Sequence, residues 1–365
     1  MTLALPSPRE EDWRWADLAF AHALADTSPP ANDPLPDVAG HWLDLDGERR
    51  LFVAGRPVEA DIAAPEADPA APAHPLADHA AAVARAGTTL RVDGEGGLLQ
   101  LLHVGTGGAA HGVTRVVLAP GAHLTLIETF ADADGDHWLN HRFDADLGEG
   151  AVLNRIVRVR HDHGLVTDRA FARIAATARY HQLLVGMGQG VLRAETHAWL
   201  SGAGAHADVH GILLGNHSSA QDILTRAVHR SPNATSDQKW RLVAAEQAKL
   251  SIAGGVMVAQ DAQKTNAEQS LKALVFHRTA SANLKPELEI FADDVKCAHG
   301  CTVGALDKAA LFYLESRGVP PAEAKVLLTR AFVADALGAV DHEKLASLLD
   351  AETQAWLATA AEKRA

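Results

Sequence analysis

The sequence predicts a mainly β chain in three parts. These are a small α/β unit over residues 1–85, a core of stacked short strands over 86–305, and a helical bundle over 306–365. Three observations predict it. From about residue 86 apolar and polar residues alternate at a period of 2, the signature of a half-buried strand. A Gly-Ala step followed by a strand recurs at Gly121-Ala122, Gly150-Ala151 and Gly204-Ala205. The separations are 29 and then 54 residues, close to one and two units of one length, which suggests stacked coils. After Gly304 the period becomes helical. By strand pattern alone a β-helix, a sandwich and a jelly roll all fit.

The elements follow in order. Residues 9–25 read as an amphipathic helix with Trp13, Leu18, Ala21 and Leu24 near one face. The run 28–36 holds four prolines and reads as a linker, since Pro removes backbone donors. A short strand at 50–54 ends at Gly55-Arg56-Pro57, and the Ala/Pro-rich stretch 63–76 is expected to be irregular. Strands are predicted at 89–92, 98–102, 114–118, 124–128 and 152–157, each bounded by Gly, Asp or Pro. Asp307 caps a helix carrying Leu311, Phe312 and Leu314 inward, and Arg317-Gly318 ends it. Pro320-Pro321 opens a second helix with Leu327, Leu328, Ala331, Phe332 and Leu337 as its apolar stripe. A third, about 341–361, carries Leu345, Leu348, Leu349 and Trp356. Three helices have too little core to stand alone, so they are expected to pack on the β unit or on a partner.

Composition excludes several classes. The chain of 365 residues is 47% hydrophobic, enough for a large core. It has no run of 18 uncharged apolar residues, so no membrane span is expected. The amino-terminal segment turns acidic by residue 10 and lacks a basic-then-apolar signal. Its two cysteines, four residues apart, then argue for a reducing cytoplasm. A net charge of −13 argues against nucleic acid and anionic membrane. No P-loop follows Gly186-Met187-Gly188-Gln189-Gly190, and no nucleophile elbow surrounds Ser218, Ser219 or Ser270. No enzyme activity is therefore expected.

The chemistry concentrates near the carboxyl end. Both cysteines fall in Lys296-Cys297-Ala298-His299-Gly300-Cys301, with a histidine midway between them. If this segment is extended, Cys297, His299 and Cys301 point to one side. Thiolate and imidazole are ligands that iron and zinc accept; the plainer reading is two small buried hydrophobes. Asp293-Asp294 point to opposite faces of a strand and read as a turn or an interface contact. Glu287 and Glu289 share a face and could meet Lys or Arg across an interface. His161 with His163, and His206 with Asp208 and His210, would share faces on strands. Such sets can bind iron or zinc, but the preferred reading is polar decoration of exposed coils.

The run from Pro286 to Val319, PELEIFADDVKCAHGCTVGALDKAALFYLESRGV, resembles the signature of SufD, in the SufB/SufD family of SUF iron–sulfur cluster assembly scaffolds. The likeness extends upstream through Gly254-Gly255-Val256-Met257-Val258, Ala262-Gln263-Lys264-Thr265 and Gln269. It recurs at Glu11-Asp12-Trp13-Arg14-Trp15-Ala16-Asp17-Leu18. The resemblance implies a right-handed parallel β-helix, with which the repeat length agrees. It implies a transient iron–sulfur cluster at an interface shared with a SufB-like scaffold, and no tightly bound cofactor in the isolated chain. His299 carries over as the residue facing that partner and as its transient metal ligand, with Cys297 beside it. Cys301 departs from the family's usual Ala. It is either an extra ligand or, as preferred, a small-residue replacement. A SufC-like ABC-type ATPase would bind the terminal helices, with Phe332 and Leu328 as candidate contacts, and a homodimer is expected in isolation. The alternative from another class is a free-standing metal-dependent hydrolase using His206, Asp208 and His210.

Overall fold

The computed structural model describes residues 3–30, 35–58, 67–133, 135–338, 340 and 342–362. The middle of the Pro-rich linker (31–34) and residues 63–66 of the Ala/Pro-rich stretch lie outside the described residues. The core is a parallel β-solenoid in which consecutive strands alternate between two sheets. The first sheet contains β4 (Glu95–Gly105), β6 (His123–Asp132), β8 (Val152–Arg160), β10 (Arg179–Gly188), β12 (His206–Gly215), β14 (Thr235–Ala244), β16 (Asn266–Val275) and β18 (Lys296–Gly304). The second contains β3 (Gly87–Val92), β5 (Gly108–Leu118), β7 (His137–Leu147), β9 (Leu165–Ile174), β11 (Val191–Leu200), β13 (Ala220–His229), β15 (Lys249–Val258) and β17 (Ser281–Ile290). Each strand pairs in register with the strand one coil away, 26 residues on from Leu165 to Val191 and 32 from Lys249 to Ser281. Both sandwich and jelly roll are thereby excluded.

The Gly-Ala steps are the sharp corners of this solenoid. Gly121, Gly150 and Gly204 have φ near +70°, and Thr177, Asn233 and Lys264 hold the same left-handed conformation in other coils. Each corner residue donates its N–H to the next coil, as Gly121 does to Glu149 O at 2.8 Å and Thr177 to Ala203 O at 3.0 Å. The residue after the corner turns inward, so Ala122, Ala151, Ala178, Ala205 and Ala234 form a fully buried small-residue column. Leucine, valine and alanine from both inner faces fill the remaining interior.

The flanking parts cover the two outer faces. Residues 9–25 are not one helix. A 3-10 turn, Glu11–Trp13, is followed by a short α1 (Ala19–Leu24), because Asp17 accepts from the Ala19 N–H and restarts the helix there. Trp13, Leu18 and Ala21 pack with Leu76 of α2 (Pro75–Val83) on Trp138 and Leu165 of the second sheet. Strand β1 (Glu48–Val53) turns at Ala54-Gly55 into the two-residue β2 (Arg56–Pro57) and closes the amino end of the first sheet beside β4.

At the other end come α3 (Lys308–Ser316), α4 (Pro321–Leu337) and α5 (Glu343–Glu362). Asp307 caps α3 through the Ala309 N–H at 2.8 Å, as expected. Helices α4 and α5 lie on the outer face of the first sheet. There Val333, Ala336, Leu337, Leu345 and Leu349 pack on Ile127, Ile156, Leu183, Ile212, Leu214 and Val243. Arg160 reaches Glu352 at 3.1 Å, and Arg158 and Arg241 pair with Glu352 and Asp335 across the same seam. The inward stripes differ from expectation. Phe312 is 72% exposed, on a helix none of whose residues is buried, and Ala331 is exposed because α4 turns Val333, Ala336 and Leu337 to the sheet and to α5 instead.

Candidate functional site

Strand β18 is the last rung of its sheet, as β17 is of the other, and among the described residues no strand pairs with either outer edge. Residues 296–304 are extended, so the expected alternation holds. Cys297, His299, Cys301 and Val303 stand in register over Ala267, Gln269, Leu271 and Ala273 of β16. Those four partners are buried interior residues. The Cys–His–Cys face is therefore the inner face of the solenoid, uncovered because no further coil lies on it. His299 and Cys301 are exposed and Cys297 is half-buried. Cys301 Sγ lies 3.9 Å from Leu284 O of β17, which places it between the two terminal strands. Ile290, Phe291 (63% exposed) and Val303 (49%) add apolar surface to the same end.

Both thiols are free. Burial pushes both above the ordinary thiol range, offset only in part at Cys297 by the backbone at Ala267. Neither is a ready-made thiolate, and a metal ion must displace its proton to bind. The three side chains also do not converge. Among the described residues, the sets of three or more ligand atoms lying within 4.8 Å of one another contain none of Cys297, His299 and Cys301. The rung by itself is a row of separate donors, a half-site.

One residue here has significance that the sequence alone did not disclose. Gln269, directly beneath His299, is buried, and among the described residues neither its Oε1 nor its Nε2 has a hydrogen-bond partner. A buried amide left so costs about 1–3 kcal/mol per group. One coil down, Gln238 is satisfied by Thr225 at 2.6 Å and Gly255 O at 2.9 Å. Gly254 sits opposite both amides; a Cβ there would lie 3.2 Å from Gln238 Oε1 and 3.3 Å from Gln269 Nε2. One coil beyond Val209, which interrupts the column, Gln182 accepts from Tyr180 and Arg155 and donates to Thr196.

Farther inside, Arg155 is fully buried between Glu128 (2.7 Å) and Asp168 (3.0 Å), with its guanidinium 3.9 Å from the centre of the Phe143 ring. Asp168 also bonds His141 at 2.8 Å. His103, Glu128 and His141 have metal-ligand spacing, but Arg155 already neutralises Glu128. Burial first, and then the neighbouring His141, hold His103 well below the usual imidazole range. This cluster is an internal ion-pair network centred on Arg155, in which Glu128 Oε1 and His103 Nε2, 4.0 Å apart, have no hydrogen-bond partner among the described residues.

The remaining candidates fall as follows. His161 and His163 do not share a strand face. They lie in the loop between β8 and β9, with His161 Nδ1 3.1 Å from His163 O and His163 paired to Asp132 at 3.0 Å. His206, Asp208 and His210 do share the outer face of β12 but do not gather as one set. They divide into His181/His206/Asp208 and Asp208/His210/Asp237. Asp293-Asp294 form the turn before β18, where the Asp294 carbonyl accepts from Lys264 N–H at 2.7 Å and its carboxylate pairs with the Lys264 ammonium. Glu287 pairs within its own strand, to Lys285 at 2.7 Å. Asp12 binds Arg226 at 2.6 Å, and the guanidinium of Arg193 lies 4.6 Å from the centre of the Trp13 ring. The amino-terminal Glu-Asp-Trp motif is thus a clamp on the second sheet. Phe332 is half-buried against that seam with Arg241 over its ring, and Leu328 is half-buried.

Residues 102–332 match the family described as SUF system FeS cluster assembly, SufBD core domain. The iron–sulfur cluster assembly protein SufD of Escherichia coli K12 is 28% identical over 93% of this chain and 86% of its own length. SufD of Bacillus subtilis is 30% identical over 40% of this chain and 34% of its own length. An iron–sulfur cluster assembly SufBD family protein of Synechocystis is 32% identical over 55% of this chain and 44% of its own length.

Proposed function

Because the chain belongs to the SufBD family of the SUF iron–sulfur cluster assembly system, we propose that its open solenoid end pairs with that of a SufB-like scaffold. The nascent cluster, as cargo, is built where the two ends meet. A SufD-type role in iron–sulfur cluster assembly is the common ground; the partner and the site are the proposal. One observation carries it. The last rung presents Cys297, His299 and Cys301 on a face that every other coil keeps covered, between two unpaired edges of 9 and 10 residues. Such edges recruit another strand unless something blocks them. Three unconverged donors need ligands from a second chain to close a site. In the absence of that partner the same end pairs with a second copy.

The terminal helices take a SufC-like ATPase. Phe332, half-buried at the seam, and Leu328, half-buried on α4, offer it little free surface. Phe312, Tyr313 and Leu327 are the exposed large apolar residues of α3 and α4 and fit a docking surface better. On this reading the chain divides at 85/86 and 305/306, is a scaffold and not an enzyme, and works in the reducing cytoplasm, which its two free thiols suit. Among the described residues no helix is long and apolar enough to cross a membrane. The hydrolase reading has no comparable support, since its three residues belong to two different sets. The experiment is complementation. His299→Ala should co-purify with the SufB-like protein and the ATPase yet lower iron–sulfur enzyme activity in cells that depend on it. Wild-type activity with His299→Ala removes the site from this rung; loss of the complex makes His299 a structural contact instead.

A further inference from the structure

A second cluster of metal-ligand type lies on the outer face of the first sheet, away from the open end. Adjacent coils contribute it. His181 is on β10, and in register beside it on β12 is Asp208, with His206 two residues earlier. His181 Nδ1 is 2.8 Å from Asp208 Oδ2, and His206 Nε2 is 3.0 Å from Asp208 Oδ1. All three ligand atoms lie within 4.8 Å of one another, and the two imidazole rings are 5.4 Å apart. The third coil orients the set. His206 Nδ1 is 2.7 Å from Thr235 Oγ1, a contact that fixes the ring: without an ion Nε2–H donates to Asp208 and Thr235 O–H to Nδ1, and on metal binding the proton can move to Nδ1, with Thr235 as its acceptor, freeing Nε2 to ligate. Partners of this kind fix the tautomer of a metal-binding imidazole.

Polar decoration of an exposed coil does not account for this. Each side chain is more than three-quarters buried. A cavity of about 20 Å³ opens between His181, Asp208 and the start of α5, lined also by Thr125, Asn154, Gln182 and His342 and walled by Ile156, Leu183, Val340 and Leu345; His206 reaches Asp208 from outside it. That is room for one water or one ion. Among the described residues no Lys or Arg pairs with Asp208. Glu128 of the internal cluster, in contrast, carries Arg155, and Asp237 of the adjoining set has Lys239 at 3.8 Å. His342 faces the cavity, but its Nδ1 accepts the Leu345 N–H at 3.2 Å. Its other nitrogen is therefore the protonated one, and it serves as a donor at the rim and not as a ligand.

We propose that His181, His206 and Asp208 form a binding site for one first-row divalent cation, Fe(II) or Zn(II), with water completing its coordination in the cavity. Two imidazoles and one carboxylate with open positions are the donor set that suits these ions. The site stands apart from the terminal rung and does not depend on how that rung is read.

The test uses the full chain, stripped with a chelator and titrated with Zn(II) by calorimetry and with Co(II) by visible absorption. The expected result is one equivalent bound in the wild type and in His299→Ala, with d–d bands of a low-symmetry N/O site. Asp208→Asn and His206→Gln should abolish it. Thr235→Val should weaken affinity about 10–100-fold, a change that a cluster held only by its own hydrogen bonds would not produce. Circular dichroism and thermal unfolding check that each variant is folded; should Asp208→Asn fail to fold, His206→Gln and Thr235→Val decide. No stoichiometric binding, binding unchanged in the folded variants, or loss in His299→Ala overturns the assignment.

Discussion

Phe291 offers a direct measure of the open end. It follows β17, where its N–H is fixed to Val258 O at 2.9 Å while 63% of the residue faces solvent. Complete burial of such a ring is worth about 1.5–3 kcal/mol. If the partner covers the exposed part, Phe291→Ala removes roughly two-thirds of that, about 1–2 kcal/mol. The expected result is a Kd for the SufB-like protein raised about 5- to 30-fold. The isolated chain should unfold at nearly the same temperature, since the exposed part of the ring contributes little to its core. Calorimetry or sedimentation with the purified partner measures the Kd. Phe312→Ala, on α3, is the internal control and should leave this Kd unchanged while weakening ATPase binding. A Kd within twofold of wild type for Phe291→Ala, in a folded protein, refutes the placement of the partner.

Three further predictions concern the interior. Arg155→Met strands the buried Glu128 and Asp168 carboxylates and should destabilise the chain by about 3–5 kcal/mol in urea unfolding; a loss below about 1 kcal/mol would mean the network is not coupled as described. His111, His161 and His229 are each lowered to about 4 by burial, with His79 and His137 adding to the effect at His111 and His161. The unfolded chain, titrating near 6.5, then binds more protons between those values, so stability is full above about pH 6.5 and falls as pH drops toward 4. Each histidine contributes up to about 3 kcal/mol, and a pH series of unfolding curves that stays flat across this window contradicts the burial. Gln269→Leu removes two unsatisfied buried groups, so it should leave the isolated chain as stable or stabilise it by about 1 kcal/mol or more, yet lower cluster assembly in cells if the amide serves the completed site; marked destabilisation would show that Gln269 is already satisfied.

Most of the fold was legible because a solenoid repeats a local pattern. The 54-residue gap between Gly-Ala corners conceals a coil in which Thr177 takes the left-handed position and Ala178 the inward one. Glycine eases that corner but is not required, so Asn233 and Lys264 also escaped the pattern. The Cys–His–Cys rung was readable because strand alternation needs only neighbours in sequence. Gln269 and the His181–Asp208 pair take their meaning from register across coils, Gln269 with His299 and His181 with Asp208. Residue spacing along one strand cannot reveal that. The stripe of α5 holds, with Leu345 and Leu349 buried, but Phe312 on α3 and Leu327 and Ala331 on α4 are exposed, for a related reason. An amphipathic pattern says that a face is buried, not what covers it, and here the covering surface is the first sheet. Removing 306–365 would uncover Ile127, Ile156, Leu183 and Ile212, so point changes on α3 are the cleaner probe of ATPase binding.

The measurement that meets the central claim most directly is hydrogen exchange of the chain alone and with the SufB-like partner. Backbone amides across 281–304, the two terminal strands, should exchange readily in the free chain and become protected in the complex. Amides of the same strand type in the middle of the solenoid, such as 206–215, should not change. Protection that appears elsewhere while 281–304 exchanges as before would contradict it.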